Sequence, residues 1–263
     1  MKKSRHKKVV QLLSIIFLSL ICFTANAQKL PSTQQISVWV PDHIKIDGKA
    51  TEWGAKFQAY NRANHLFYSI ANDDKNLYLI VHSSDKLTIQ KMVRWGVALT
   101  VSGSIKKNTK DPNNVSVSFP VEDERRNLSI IHTMGVKDIS TNTDSMMTAR
   151  NTTIANIFKL IKVAGIKTIS EPDISVYNVL GIKAAASFDN KLGYTYELAI
   201  PLKYLNIPVN NEIRFSYNIK LNGGVEKNGV SNVIRVGGGG GDPNNDYLFS
   251  PTDFWGEYTL AKK

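Results

Sequence analysis

HLFYSIANDDKNLYLIVHSS, residues 65–84, sets two apolar runs on either side of five turn-forming positions, Asn72 to Asn76. The first run is rich in aromatic and β-branched residues, and the second, NLYLIVHSS at 76–84, continues in the same style. Strand, Asx-rich turn and strand is the reading this pattern favours, because Asn and Asp side chains satisfy turn backbone that the flanking residues cannot. Working outward, the same rhythm recurs in ISVWV (36–40), VRWGVALTV (93–101), VSVSF (115–119), NLSIIHT (127–133) and YNVLGIKAAASF (177–188). It continues in YTYELAI (194–200), IRFSYNIKL (213–221) and FWGEYTL (254–260), with Asp189 to Gly193 placed as a hairpin loop. Many short strands separated by turn signals predict an all-β, antiparallel β-sandwich.

One stretch breaks the rhythm. TTIANIFKLIKVAG (152–165) puts Ile154, Ile157, Phe158 and Ile161 at helical spacing and ends in Gly165, so a single short inserted helix is expected there. Gly237 to Gly241, followed by Asp242-Pro243-Asn244-Asn245, lacks the Lys and Ser or Thr of a phosphate loop and reads as a Gly-rich surface loop over 237–245.

The chain opens MKKSRHKKVVQLLSIIFLSLICFTANAQ, with five basic residues, an apolar run to Phe23 and Ala25-Asn26-Ala27. This is the pattern of a signal peptide over 1–27, cut before Gln28, and it implies a periplasmic or secreted protein. The apolar run is shorter than the roughly 20 residues of a membrane span, so no membrane span is expected. Cys22 raises a lipoprotein reading, against which Ile21 stands, since lipoprotein processing takes a small residue there. After the cut no cysteine remains, which excludes disulfides and thiol chemistry. Of the 33 Lys and Arg against 22 Asp and Glu, five basic residues leave with the leader, so the remaining excess is +6. It is scattered, with no basic stripe interleaved with aromatics, and no nucleic-acid partner is expected. Residues 28–263 are long enough to form a single β-sandwich domain with a substantial core.

IKIDGKATEWG (44–54) reads as a first strand and turn, with Asp47-Gly48 turning the chain and Trp53 just beyond. Together with NDDKNLYLIVHSSD (72–85), YTYELAIPLKYL (194–205) and the closing FWGEYTLA, it resembles the segments of family 9 carbohydrate-binding modules and the wider DOMON-like sandwiches, in the expected order over most of the chain. The pattern is also similar to secreted proteins of bacteria related to Bacteroides. The resemblance implies a jelly-roll-like sandwich that binds a polysaccharide or oligosaccharide without catalysis, alongside partner glycan-degrading enzymes. The chain departs from the family in having Ala71-Asn72 where a Trp often precedes the acidic turn, and in its long insertion at 121–175.

Sugar sites use aromatic faces and carboxylates, which makes Trp53, Trp255 and Glu197 the candidate ligand-binding residues. Against this, a Trp within a strand, such as Trp95, is commonly core. Glu197 alternates onto the face opposite Tyr194, Tyr196, Leu198 and Ile200, toward solvent or an outer groove. Asp73 and Asp74 are candidate Ca²⁺ ligands, in keeping with calcium-containing family 9 modules, or else form an Asx turn. DOMON-like haem ligation would draw on Met92, Met134, His82 and His132, although no attachment motif is present. A structural or accessory role without a sugar ligand is the remaining alternative. Glu122-Asp123-Glu124 are neighbours rather than a facing pair, and neither HExxH nor GxSxG occurs, so no catalysis is expected.

Overall fold

The structure is a computed structural model that describes residues 29–54, 56–105, 107–108, 110–121, 144–207, 214–224 and 243–263. The leader, the strand expected at 127–133, the acidic run 122–124, Met134, His132 and the five glycines lie outside the described residues. The chain divides into two compact units, Met1–Leu30 and Pro31–Lys263, and every described strand and helix falls in the second.

The elements are β1 (Ala59–Asn61), β2 (Leu66–Asn72), β3 (Asn76–Ser83), α1 (Lys86–Trp95), β4 (Val97–Ser102), β5 (Val115–Phe119), α2 (Asp144–Ile157), β6 (Leu160–Ala164), β7 (Asp173–Ser175), β8 (Lys183–Phe188), β9 (Tyr194–Pro201), β10 (Phe215–Leu221), α3 (Pro243–Phe249) and β11 (Thr252–Tyr258). They form two antiparallel sheets, a five-stranded one in the order β1-β2-β3-β9-β8 and a six-stranded one in the order β11-β10-β4-β5-β6-β7. The expected all-β sandwich is what the chain forms.

Alternation dictates the core. Tyr68 and Ile70 of β2, Leu77, Leu79 and Val81 of β3, and Tyr194, Tyr196, Leu198 and Ile200 of β9 belong to one buried cluster with Val97, Leu99 and Val101 of β4, Val115, Val117 and Phe119 of β5, and Phe215, Tyr217 and Ile219 of β10. Tyr68 and Tyr217 also meet through their hydroxyls at 3.0 Å, a polar tie between the sheets inside an apolar interior. Gly256 of β11 faces Tyr217, and a Cβ there would stand 2.2 Å from the phenol ring.

Several sequence expectations are corrected. The helix of 152–165 is α2, which starts earlier and ends at Ile157, while LIKVA beyond it is strand β6, alternating exposed and buried from Leu160 to Ala164. Ile161 therefore points into the core from a strand and not from a helix. Val93 and Trp95 close helix α1, whose Asp85 caps it by accepting from the Thr88 amide at 2.8 Å; strand β4 starts only after Gly96. Pro243 opens α3 instead of continuing a loop. Residues 36–54 form no strand beyond a single bridge between Trp39 and Asn72.

Candidate functional site

The segment 38–57 is a strap across the outer face of the five-stranded sheet. Val38, Val40, Ile44, Ile46, Ala50, Trp53 and Phe57 pack on Ala71, Tyr78, Ile80 and Ala199, making a second, smaller apolar cluster. At its centre lies Glu197, fully buried. One carboxylate oxygen accepts from Trp53 Nε1 at 2.7 Å, and the other accepts from the amides of Gly48 at 2.8 Å and Asp47 at 2.9 Å. The backbone of the Asp47-Gly48 turn thus bonds a side chain where a strand would bond a ladder, which is why the alternation of IKIDG does not make a strand. Gly48 has φ of +82°, and a Cβ there would lie 2.5 Å from the Ala186 carbonyl carbon of β8. Its own carbonyl accepts from Ser187 Oγ at 2.6 Å. Burial pushes the Glu197 carboxyl up to about 7, while the three donors pull the other way.

Glu197 does leave the core on the face that alternation assigned, but that face is covered. The expectation of solvent or an open groove around Glu197 is therefore corrected, because the strap encloses it. Trp53 is buried with it, its indole N–H already engaged.

Asp73 closes its turn from within. Its Oδ1 accepts from the Lys75 and Asn76 amides at 2.7 and 2.6 Å, and its Oδ2 accepts from the Tyr78 hydroxyl at 2.7 Å. Burial raises this carboxyl, but those bonds outweigh it and hold the group below the ordinary carboxylate value. Asp74 is exposed beside it, and no group of three or more His, Cys, Asp or Glu that could hold a metal occurs among the described residues. Met92 is fully buried in α1. His82, on the outer face of β3, is partnered by Thr195 Oγ1 at 3.0 Å and stacked on Phe57, and burial lowers its pKa.

The outer face of the six-stranded sheet is different. Across it runs an open groove of about 930 Å³. Its floor is built from two cross-strand rows, which the register defines. Lys220, Ala98, Ser118 and Lys162 lie side by side on β10, β4, β5 and β6, and Asn218, Thr100, Ser116 and Ala164 form the next row. All eight residues line the groove. In the first row short side chains fill the middle and the two lysines stand at the margins, while the second row ends in Asn218 on one side and Ala164 on the other. Thr100 Oγ1 donates to Ser116 Oγ at 3.1 Å, Asn222 Nδ2 donates to Ser118 Oγ at 3.0 Å, and Asn218 Nδ2 donates to Asp253 Oδ2 at 2.5 Å, so the floor is fixed in orientation by its own bonds. One end is apolar, where Phe249, Pro251 and an edge of the buried Trp95 stand together. Trp255 shares this face from β11, directly opposite Asn218, and is partly exposed. It lines a separate, adjoining pocket of about 250 Å³ with Lys107, Arg214 and Glu257.

The structure thus separates the three sequence candidates, placing Trp53 and Glu197 together under the strap and Trp255 on the open face. Sequence reading missed the groove floor, although its signal was present in the outward positions of VSVSF and SYNIK, which carry Ser, Asn and Lys against an apolar inner set.

No protein-family model matches the chain, and no curated protein matches it. Fold and geometry therefore define its class as an all-β sandwich in which, among the described residues, a strap covers much of one outer sheet face and a groove of mixed polar and apolar lining crosses the other. Among the described residues no helix is long and apolar enough to cross a membrane.

Proposed function

We propose that this is an exported, non-catalytic glycan-binding protein, and that its saccharide site is the groove on the six-stranded sheet. The observation that carries the reading is the composition of that trough: hydroxyls and amides held at fixed orientation along the floor, with an aromatic and a proline at one end. A saccharide presents this same mixture, with hydroxyls around the ring edge and C–H bonds on its faces, the latter suited to an aromatic ring. Strands hold such a constellation more rigidly than loops. Asp111 is the one carboxylate among the described groove residues, whereas glycoside hydrolysis needs two facing each other across the bond.

The test is affinity electrophoresis of the purified protein through gels containing plant, algal and host polysaccharides. Retardation on at least one is expected, and Ser116→Trp, which fills the floor from a half-exposed strand position, should abolish it while leaving the far-ultraviolet circular dichroism unchanged. A folded protein that no polysaccharide retards would overturn the proposal.

A further inference from the structure

We infer that the ligand of the groove is an acidic saccharide, carrying uronate carboxylates or sulfate esters, held between Lys162 and Lys220. This rests on the groove being the glycan site and adds the class of glycan. The two lysines stand at opposite ends of one cross-strand row, with only Ala98 and Ser118 between them. Adjacent strands are about 4.8 Å apart, so three strand steps separate the two Cα atoms by about 14 Å. Each side chain is long enough to lean inward over the trough, so both ammonium groups can reach a chain of sugar rings lying on the floor.

Among the described residues neither ammonium takes part in an ion pair; the pairs are Lys49 with Asp47, Lys107 with Glu257 and Arg214 with Glu257. Asp253 sits beside Lys220 and Asp173 beside Lys162 in the register, each on the strand away from the trough, and neither forms an ion pair with its lysine. Among the described residues that line the groove, the charged ones are Lys162, Lys220 and Asp111, while Asp173 and Asp253 stand outside the lining. Two cations flanking a floor of neutral donors and acceptors complement a polymer that combines hydroxyls with regularly spaced anions. A nucleic acid would meet the same charges but stacks successive bases on a series of aromatic faces, whereas the described aromatics of the groove, Phe249 and an edge of Trp95, stand together at one end.

The experiment compares retardation of the protein, Lys162→Gln/Lys220→Gln and Lys162→Arg/Lys220→Arg on an acidic galacturonan, a sulfated galactan, a neutral xylan and a neutral β-glucan, with single-stranded DNA as a further ligand. Retardation on an acidic polymer, reduced about tenfold or more in affinity by the Gln pair and retained by the Arg pair, is expected. Rising salt should weaken the wild-type interaction and affect the Gln pair less. Retardation by neutral polymers alone, or acidic binding that survives the Gln pair, would overturn the inference and leave the glycan reading standing. Binding to none removes both. Preference for DNA with the same lysine dependence also overturns it.

Discussion

Replacing Glu197 with alanine takes the acceptor away from three donors at once, and the structure sets the size of the effect. Trp53 Nε1 and the Gly48 amide are buried, and the Asp47 amide is partly so. Each buried donor left without a partner costs about 1–3 kcal/mol. Part of this is offset by removing a carboxylate whose burial itself costs free energy, as the rise of its pKa to about 7 shows. A net loss of roughly 2–4 kcal/mol follows, which for a chain of this length lowers the melting midpoint by about 5–15 °C. Thermal melts followed by circular dichroism and tryptophan fluorescence measure it, and the emission of Trp53 should shift to the red as the strap loosens. Glu197→Gln keeps one oxygen but turns an N–H toward a donor, so an intermediate loss is expected. A midpoint for Glu197→Ala within about 2 °C of wild type would refute the idea that this carboxylate holds the strap.

Three further outcomes follow from the same structure. Because the folded-state pKa of Glu197 lies above its ordinary value, its contribution to stability is complete below that ordinary value and is lost as pH rises through about 7, so wild type should lose more stability than Glu197→Gln between about pH 5 and pH 8 in paired melts. Lys91 is fully buried, with Nζ donating to Thr252 Oγ1 at 3.0 Å and lying 4.5 Å from the Tyr247 ring centroid, and burial pulls its pKa down to about 8. Lys91→Met should therefore stabilise the fold at pH 7 by about 1–2 kcal/mol, and should abolish the gain in stability that wild type shows as pH rises from about 8 toward the ordinary lysine value; a destabilised variant in denaturant titration contradicts this. Asp73→Ala should cost about 1–2 kcal/mol through loss of its turn bonds, while wild-type melts in EDTA and in millimolar calcium should superimpose, since both carboxylate oxygens are engaged within the turn.

Where two local signals agreed, the sequence was readable. β2 and β3 combine β-rich runs with an Asx turn, and the hairpin forms where the pattern put it. The alternation of YTYELAI correctly sent the tyrosines inward and Glu197 outward. What covers that outward face could not be read, because the donors to Glu197 lie some 150 positions earlier in the chain. Helix α1 was missed because Val93, Trp95 and Val97 happen to alternate across a helix end, with Gly96 at the junction. The groove escaped for the same non-local reason. Ser116, Ser118, Lys162 and Lys220 are ordinary outward residues one at a time, and only the register of β10, β4, β5 and β6 makes them neighbours.

The most direct measurement of the groove as the binding site is a backbone-amide NMR titration of the protein with an acidic oligosaccharide. Chemical-shift changes that saturate and cluster at Ala98, Thr100, Ser116, Ser118, Lys162, Asn218 and Lys220 are expected. Changes confined to the strap around Trp53 and Gly48 or to the Asp73 turn, or no saturable change with acidic or neutral oligosaccharides, would contradict it.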